Sequence, residues 1–145
     1  LFLFYIIIIK VIFYLETNWK MNNKEYFQKE LCDISELKTG WISGAPAIYQ
    51  DIIDITQKLI NELTDTDLEN WSISPFVNGS IMMSYNYEDK HIVINIAQKR
   101  MSYVFYKTGS IGESGQHAFN TKDIHMDDAY SKMKYLIQNA KTLPY

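Results

Sequence analysis

The chain has 145 residues and carries 14 basic side chains against 17 acidic ones, a formal net charge of −3. That length suits one domain, and 47% apolar with 21% charged residues excludes wholesale disorder. Mild acidity argues against nucleic acid as the ligand, because phosphate neutralisation needs a basic surface, and a single cysteine, Cys32, excludes an intrachain disulfide framework and any multi-cysteine metal centre.

Residues 1–20, LFLFYIIIIKVIFYLETNWK, differ in composition from everything after them. Sixteen of the twenty are Phe, Leu, Ile, Tyr, Lys or Asn, all available from A/T-rich codons, and Met21 follows directly with a polar helix start. Thirteen of the 14 basic residues are lysines, with Arg100 the exception, which suits the same codon bias. The segment therefore reads as upstream sequence translated in frame, or as a hydrophobic leader, and it is set aside from fold reasoning. A membrane anchor is the alternative if residues 1–15 are translated. The apolar run is about 22 Å long as a helix, against about 30 Å of hydrocarbon, and Lys10 interrupts it. A signal peptide fits less well, since no charge precedes the run and Glu16-Thr17-Asn18-Trp19 makes a poor cleavage site. Residues 21–145 read as a single domain.

In residues 22–38, Tyr26, Phe27, Leu31, Ile34 and Leu37 recur at helical spacing among charged residues, which predicts an amphipathic helix. Thr39 to Pro46 breaks it with two glycines and a proline. A second helix is predicted from Ile48, Ile52, Ile55, Leu59, Ile60 and Leu63, one apolar stripe opposite Asp51, Asp54, Lys58 and Glu62. From Trp71 the period changes to two. Strands are predicted over 71–77, with Pro75 suggesting an edge or bulge, then 81–87, 91–97 and 101–107. Asn78-Gly79 is the strongest hairpin signal, because both residues tolerate positive φ. Residues 108–120, with three glycines, predict a loop that could hold a short edge strand. A last helix is expected over about 126–140, burying Ala129, Met133, Leu136, Ile137 and Ala140. The fold class is thus α+β: an antiparallel β-meander of four strands, or five, packed against two or three α-helices in helix–helix–meander–helix order.

Three elements carry a resemblance: the turn with Trp41, Gly44, Ala45 and Pro46, the hairpin Ser74-Pro75-Phe76-Val77-Asn78-Gly79-Ser80-Ile81, and the strands HIVINIAQKRMSYVFY. Over about residues 34–107 the chain resembles a group of small, uncharacterised bacterial proteins found in mobile or phage-linked regions, with the hairpin its most specific part. The resemblance implies the same order of elements and no particular activity. Ile42 and Asn95 stand where that group commonly has acidic residues, and Tyr85 stands where it has a strand-end tryptophan.

The densest set of ligating side chains is Asp123, His125 and Asp127, with Asp128 adjacent. In an extended chain the first three point the same way, as metal ligands would. At the start of a helix the same carboxylates would cap its N-terminus and need no metal. His91 and His117 lie on a strand start and in a loop and are expected to be exposed and inert. Cys32 is expected to be a partly buried structural thiol, with Lys29 three residues earlier its one cationic neighbour. Asp51/Asp54 and Asp65/Asp67 read as a solvated helix face and its exit turn. The 109–115 glycines lack the Lys-Ser/Thr of a phosphate loop.

Aromatic residues offer more. One sheet face takes Ile81, Met83, Ile92, Ile94, Ile96, Met101, Tyr103 and Phe105 as core; the other takes Met82, Ser84, Val93, Asn95, Ser102, Val104 and Tyr106. A mixed face of that kind suits a protein partner, with Trp41, Tyr85, Tyr87 and Tyr106 as candidate contact residues. A further helix covering it is the alternative. The expectation is a non-enzymatic accessory protein acting by protein–protein binding, of the antitoxin or immunity kind, located in the cytoplasm, with no cofactor and no nucleic acid. A small metal-dependent hydrolase using Asp123, His125 and Asp127, and a membrane-anchored module, are the alternatives.

Overall fold

The computed structural model describes residues 1–19, 21–119 and 127–145, with the backbone alone for 14–19. Helix α1 (Phe2–Trp19) is mostly apolar, interrupted by Lys10 and polar in its last turn, and its described side chains, Phe2 to Phe13, are largely exposed and outside the buried core. Among the described residues, no helix is long and apolar enough to cross a membrane.

Helix α2 (Asn23–Ser35) starts where Asn22 accepts a hydrogen bond from the Glu25 amide at 2.8 Å, while its own amide group donates to the Glu25 carboxylate at 3.2 Å. The first bond satisfies one of the unpaired backbone amides at a helix start, and the second, between the two side chains, holds Asn22 in place. It buries Phe27, Leu31 and Ile34, the 4-then-3 spacing of one stripe. Helix α3 (Gln50–Glu62) begins two residues later than the apolar stripe suggested, because Ile48 and Tyr49 are still extended or looped, with Tyr49 at φ −64°, ψ 136°.

Strands β1 (Trp71–Pro75), β2 (Ile81–Tyr87), β3 (Lys90–Ala97), β4 (Arg100–Lys107) and β5 (Glu113–Ala118) form one antiparallel sheet in sequential order. Helix α4 (Asp128–Gln138) follows. From Asn23 onward the expected helix–helix–meander–helix order is observed, with five strands. The fifth is the short edge strand that segment 108–120 could hold. Its glycines, which look like loop punctuation in sequence, admit close approach. A Cβ on Gly112 would sit 2.2 Å from the Phe105 carbonyl oxygen, and one on Gly115 would sit 2.7 Å from the Tyr103 ring.

The first hairpin also differs from expectation. Strand β1 ends at Pro75, and the turn is a wider one in which the Gly79 amide donates to the Phe76 carbonyl at 3.0 Å and the Phe76 amide to the Ser80 carbonyl at 2.9 Å. Gly79, at φ +87°, takes the left-handed position that closes a longer loop. Asn78 accepts from the Ser80 hydroxyl at 2.5 Å, and the Asn95 amide donates to that hydroxyl at 2.9 Å, so Asn95 has a turn-locking role in β3.

Register places the core in cross-strand rows. Ile81, Ile96 and Met101 are aligned, as are Ile73, Met83, Ile94 and Tyr103, and Trp71, Tyr85, Ile92 and Phe105. These rows, Tyr103 half-buried at the margin, pack against Phe27, Leu31, Ile52, Leu59, Ile60, Met133, Leu136 and Ile137 in a single apolar cluster. Helix α2 lies over β1, α3 over β3, and α4 over β4 and β5, all on this face.

Candidate protein-binding face

The alternation that buries one set of side chains presents the other set opposite. Three further rows result: Ser74, Met82, Asn95, Ser102 and Gln116; Ser72, Ser84, Val93, Val104 and Ser114; and Asn86, His91 and Tyr106. Met82, Val93 and Val104 are half-buried by their strand neighbours and belong to no apolar cluster. Among the described residues, α2, α3 and α4 all pack on the other side of the sheet and no helix packs on this one. Its one formal charge there, Arg100, sits at one end and donates to Gln116 at 3.3 Å. Serine, asparagine, valine and tyrosine on a sheet face give contact area and hydrogen bonding with few rotors to freeze.

The acidic side chains of the helices lie elsewhere. Glu30, Asp33, Asp51 and Asp54 are on α2 and α3, behind the core. Asp51 and Asp54 behave as a solvated face, with Gln50 donating to Asp54 at 2.9 Å; Asp67 closes the exit turn by accepting from the Thr64 amide at 2.9 Å, and Asp65 ties that turn to the start of α2 by accepting from the Lys24 amide at 3.0 Å.

The four candidate contact residues are not gathered into one patch. Tyr106 lies on the open face, its ring 5.1 Å from that of His91. Tyr87 is exposed at the end of β2 with the Lys141 ammonium 5.9 Å from its ring centre. Trp41 is half-buried, and its indole donates to the Pro46 carbonyl at 2.9 Å, stapling the loop between α2 and α3. Tyr85 requires a correction: it is 1% exposed, on the helix-covered face beside Trp71, and offers no ring to a docking partner. The period of two puts Tyr85 with Met83 and Ile81, and the strand's position in mid-sheet decides that it is covered.

Sequence reasoning missed one constellation. His91 bridges Asn86 Oδ1 at 2.8 Å and Thr108 Oγ1 at 2.7 Å, the order of orienting group, base and hydroxyl seen in nucleophilic catalysis. The Thr108 hydroxyl also lies 3.4 Å from the Asp89 carbonyl, to which the Thr108 amide donates at 2.8 Å. These bonds tie the β2–β3 turn to the end of β4 and hold His91 against Tyr106, a clasp at the rim of the open face. The signal was the register set by the turn at Glu88-Asp89, which brings residues 86, 91 and 106–108 together.

Asp123 and His125 lie outside the described residues. Asp127 is buried and accepts from the Tyr130 amide at 3.0 Å, so it caps α4, with Asp128 in the first turn. Among the described residues, no group of three His, Cys, Asp or Glu side chains could hold a metal ion. His117 stacks on Tyr103 with centroids 6.1 Å apart. Cys32 is exposed on the outer face of α2, a correction to the buried-thiol expectation; its sulfur lies 4.0 Å from the Glu36 carboxylate. The residue sits one position past buried Leu31 and so turns away from the core.

Glu62 links the two helices flanking the core: the Tyr130 hydroxyl donates to it at 2.7 Å and Lys134 at 3.1 Å. Burial first, and then the hydrogen bond and charge of Glu62, hold the Tyr130 hydroxyl well above the ordinary tyrosine range. Tyr145 is pushed up to about 12, mainly by burial.

Comparison with known proteins gives no match: no family model, no curated protein and no solved structure is similar to this chain.

Proposed function

We propose that this protein is a binding module that docks another protein on its open sheet face and works by occupying that partner rather than by a reaction of its own. The observation that carries the reading is the uncovered face of β1 to β5, bare of formal charge except at the Arg100 end. The occupant it fits is an uncharged protein surface, because a charged group pressed against this face would lose water without gaining an ion pair. An accessory protein of the antitoxin or immunity kind would act in this way, holding a partner in a blocked state. The acidic helices lie on the opposite side, so they bear on long-range encounter more than on the contact itself.

A photo-crosslinking residue placed at Ser84, and at Asp54 as the helix-side control, tests this in the native host. The expected result is an adduct to one protein from the Ser84 position alone, retained at high salt, mapped to an uncharged surface of that protein, and lost when Val93→Glu and Val104→Glu are added. No adduct at Ser84, or equal adducts at both positions, overturns the proposal.

A further inference from the structure

The strand ends at one corner of the open face bring a hydroxyl and an imidazole together. Across β2, β3 and β4, Asn86 stands opposite His91 and His91 opposite Tyr106, and Thr108 follows two residues on, just past the end of β4. Asn86 and Thr108 are exposed and His91 is half-buried, so the group lies open to solvent.

Hydrogen bonding fixes the state of the neutral ring. Asn86 Oδ1, 2.8 Å from Nδ1, can only accept, so Nδ1 carries the hydrogen and donates. The Nε2 lone pair then faces Thr108 Oγ1 at 2.7 Å and accepts from the hydroxyl. The other acceptor in reach of that hydroxyl, the Asp89 carbonyl, is 3.4 Å away, so His91 holds the shorter bond. A hydroxyl bonded to an imidazole whose second nitrogen is anchored is the arrangement that activates an oxygen nucleophile. The next residue, Gly109, has an amide with no hydrogen-bond partner among the described residues. In α/β-hydrolases the amide following the nucleophile is one of the donors to a developing oxyanion.

We propose that Thr108 is a site of covalent self-acylation, taking an uncharged acyl group from an activated ester. Thr108 Oγ1 bonds to the acyl carbon as its proton passes to His91 Nε2, and the carbonyl oxygen takes up the charge, where the Gly109 amide can donate to it. The bond to the leaving oxygen then breaks, and that oxygen departs with the proton from Nε2. One ester is exchanged for another, with no oxidant or further reactant. Asn86 Oδ1 keeps its bond to Nδ1–H throughout and steadies the imidazolium. A single amide suits the one oxygen of an acyl carbonyl, whereas a phosphoryl group spreads its charge over three. The Tyr106 ring, 5.1 Å from that of His91, and Val104 in the next row give the acyl chain an uncharged bed. The product is a modified chain, so this reaction and the docking of a partner do not depend on each other.

Incubating the purified full chain with p-nitrophenyl butyrate tests the site, with nitrophenolate release followed by absorbance and the acyl group located by peptide mass spectrometry. A burst of about one nitrophenolate per chain is expected, with the butyryl group on Thr108. His91→Ala should slow the burst about 100-fold, the loss of a general base, and Asn86→Ala about tenfold, the loss of one hydrogen bond to the ring. Thr108→Val should abolish the adduct and Thr108→Ser retain it. All four substitutions lie outside the buried core, so the fold is retained. Ser110 is the internal control: its hydroxyl donates to the Lys107 carbonyl at 2.8 Å rather than to an imidazole, and it should stay unmodified. No adduct at Thr108, equal labelling of Ser110 or of lysines, or an unchanged burst in His91→Ala overturns the proposal.

Discussion

Val93 and Ile94 are neighbours in β3 on opposite faces of the sheet, and substituting threonine at each tests which face is covered. Ile94 is 0% exposed, aligned with Met83 and Tyr103 across the strands. Ile94→Thr replaces an ethyl group by a hydroxyl. The lost carbons are worth about 1.6 kcal/mol at about 0.8 kcal/mol per methylene. Burying a hydroxyl without a partner adds about 1–3 kcal/mol, giving a total near 3–4 kcal/mol. Val93 lies between Ser84 and Val104 on the open face, and Val93→Thr exchanges one methyl for a hydroxyl that water can reach. Threonine keeps the β-branch, so strand propensity is preserved and the cost should stay within about 0.5 kcal/mol. In urea denaturation, with a slope of about 2 kcal/mol per M, the midpoint should fall by about 1.5–2 M for Ile94→Thr and by less than about 0.3 M for Val93→Thr. A loss above about 1 kcal/mol for Val93→Thr would mean that something covers the face, and the reasoning behind the proposed function would fail.

Two further outcomes follow from packing and titration. Gly115→Val puts a side chain where the Tyr103 ring lies 2.7 Å from a bare Cβ position, and it should cost about 1–2 kcal/mol in thermal denaturation; in a Tyr103→Ala background the same change should cost nothing, and an equal cost in both would refute a steric origin. Because the native state raises the Tyr130 pKa, its hydroxyl keeps a proton that the unfolded chain releases near pH 10, so this stabilisation is complete below pH 10 and declines as the pH climbs above it. Tyr130→Phe should therefore lose about 1–2 kcal/mol at pH 7 and approach the parent chain between pH 10 and 12; a gap independent of pH in parallel urea titrations would contradict the role of the Tyr130–Glu62 hydrogen bond.

The Asn86–His91–Thr108 clasp bears on the proposed docking face: it holds His91 against Tyr106 at the rim of that face.

Local pattern was enough for much of the architecture. The spacing of Phe27, Leu31 and Ile34, the stripe from Ile52 to Ile60, and the alternation through Ile81–Phe105 determine which residues are apolar neighbours, because helix and strand periods follow from backbone geometry alone. The two-residue connections at Glu88-Asp89 and Gln98-Lys99 carried the order of three strands in the same way. Only the tertiary structure decided the rest. β5 forms because Gly112 and Gly115 let its backbone close on Phe105 and Tyr103, a contact between segments far apart in their local signals. Tyr85 is enclosed and Tyr106 left open because all three packed helices lie on one side of the sheet, and side-chain alternation separates the two faces without saying which one the helices will cover.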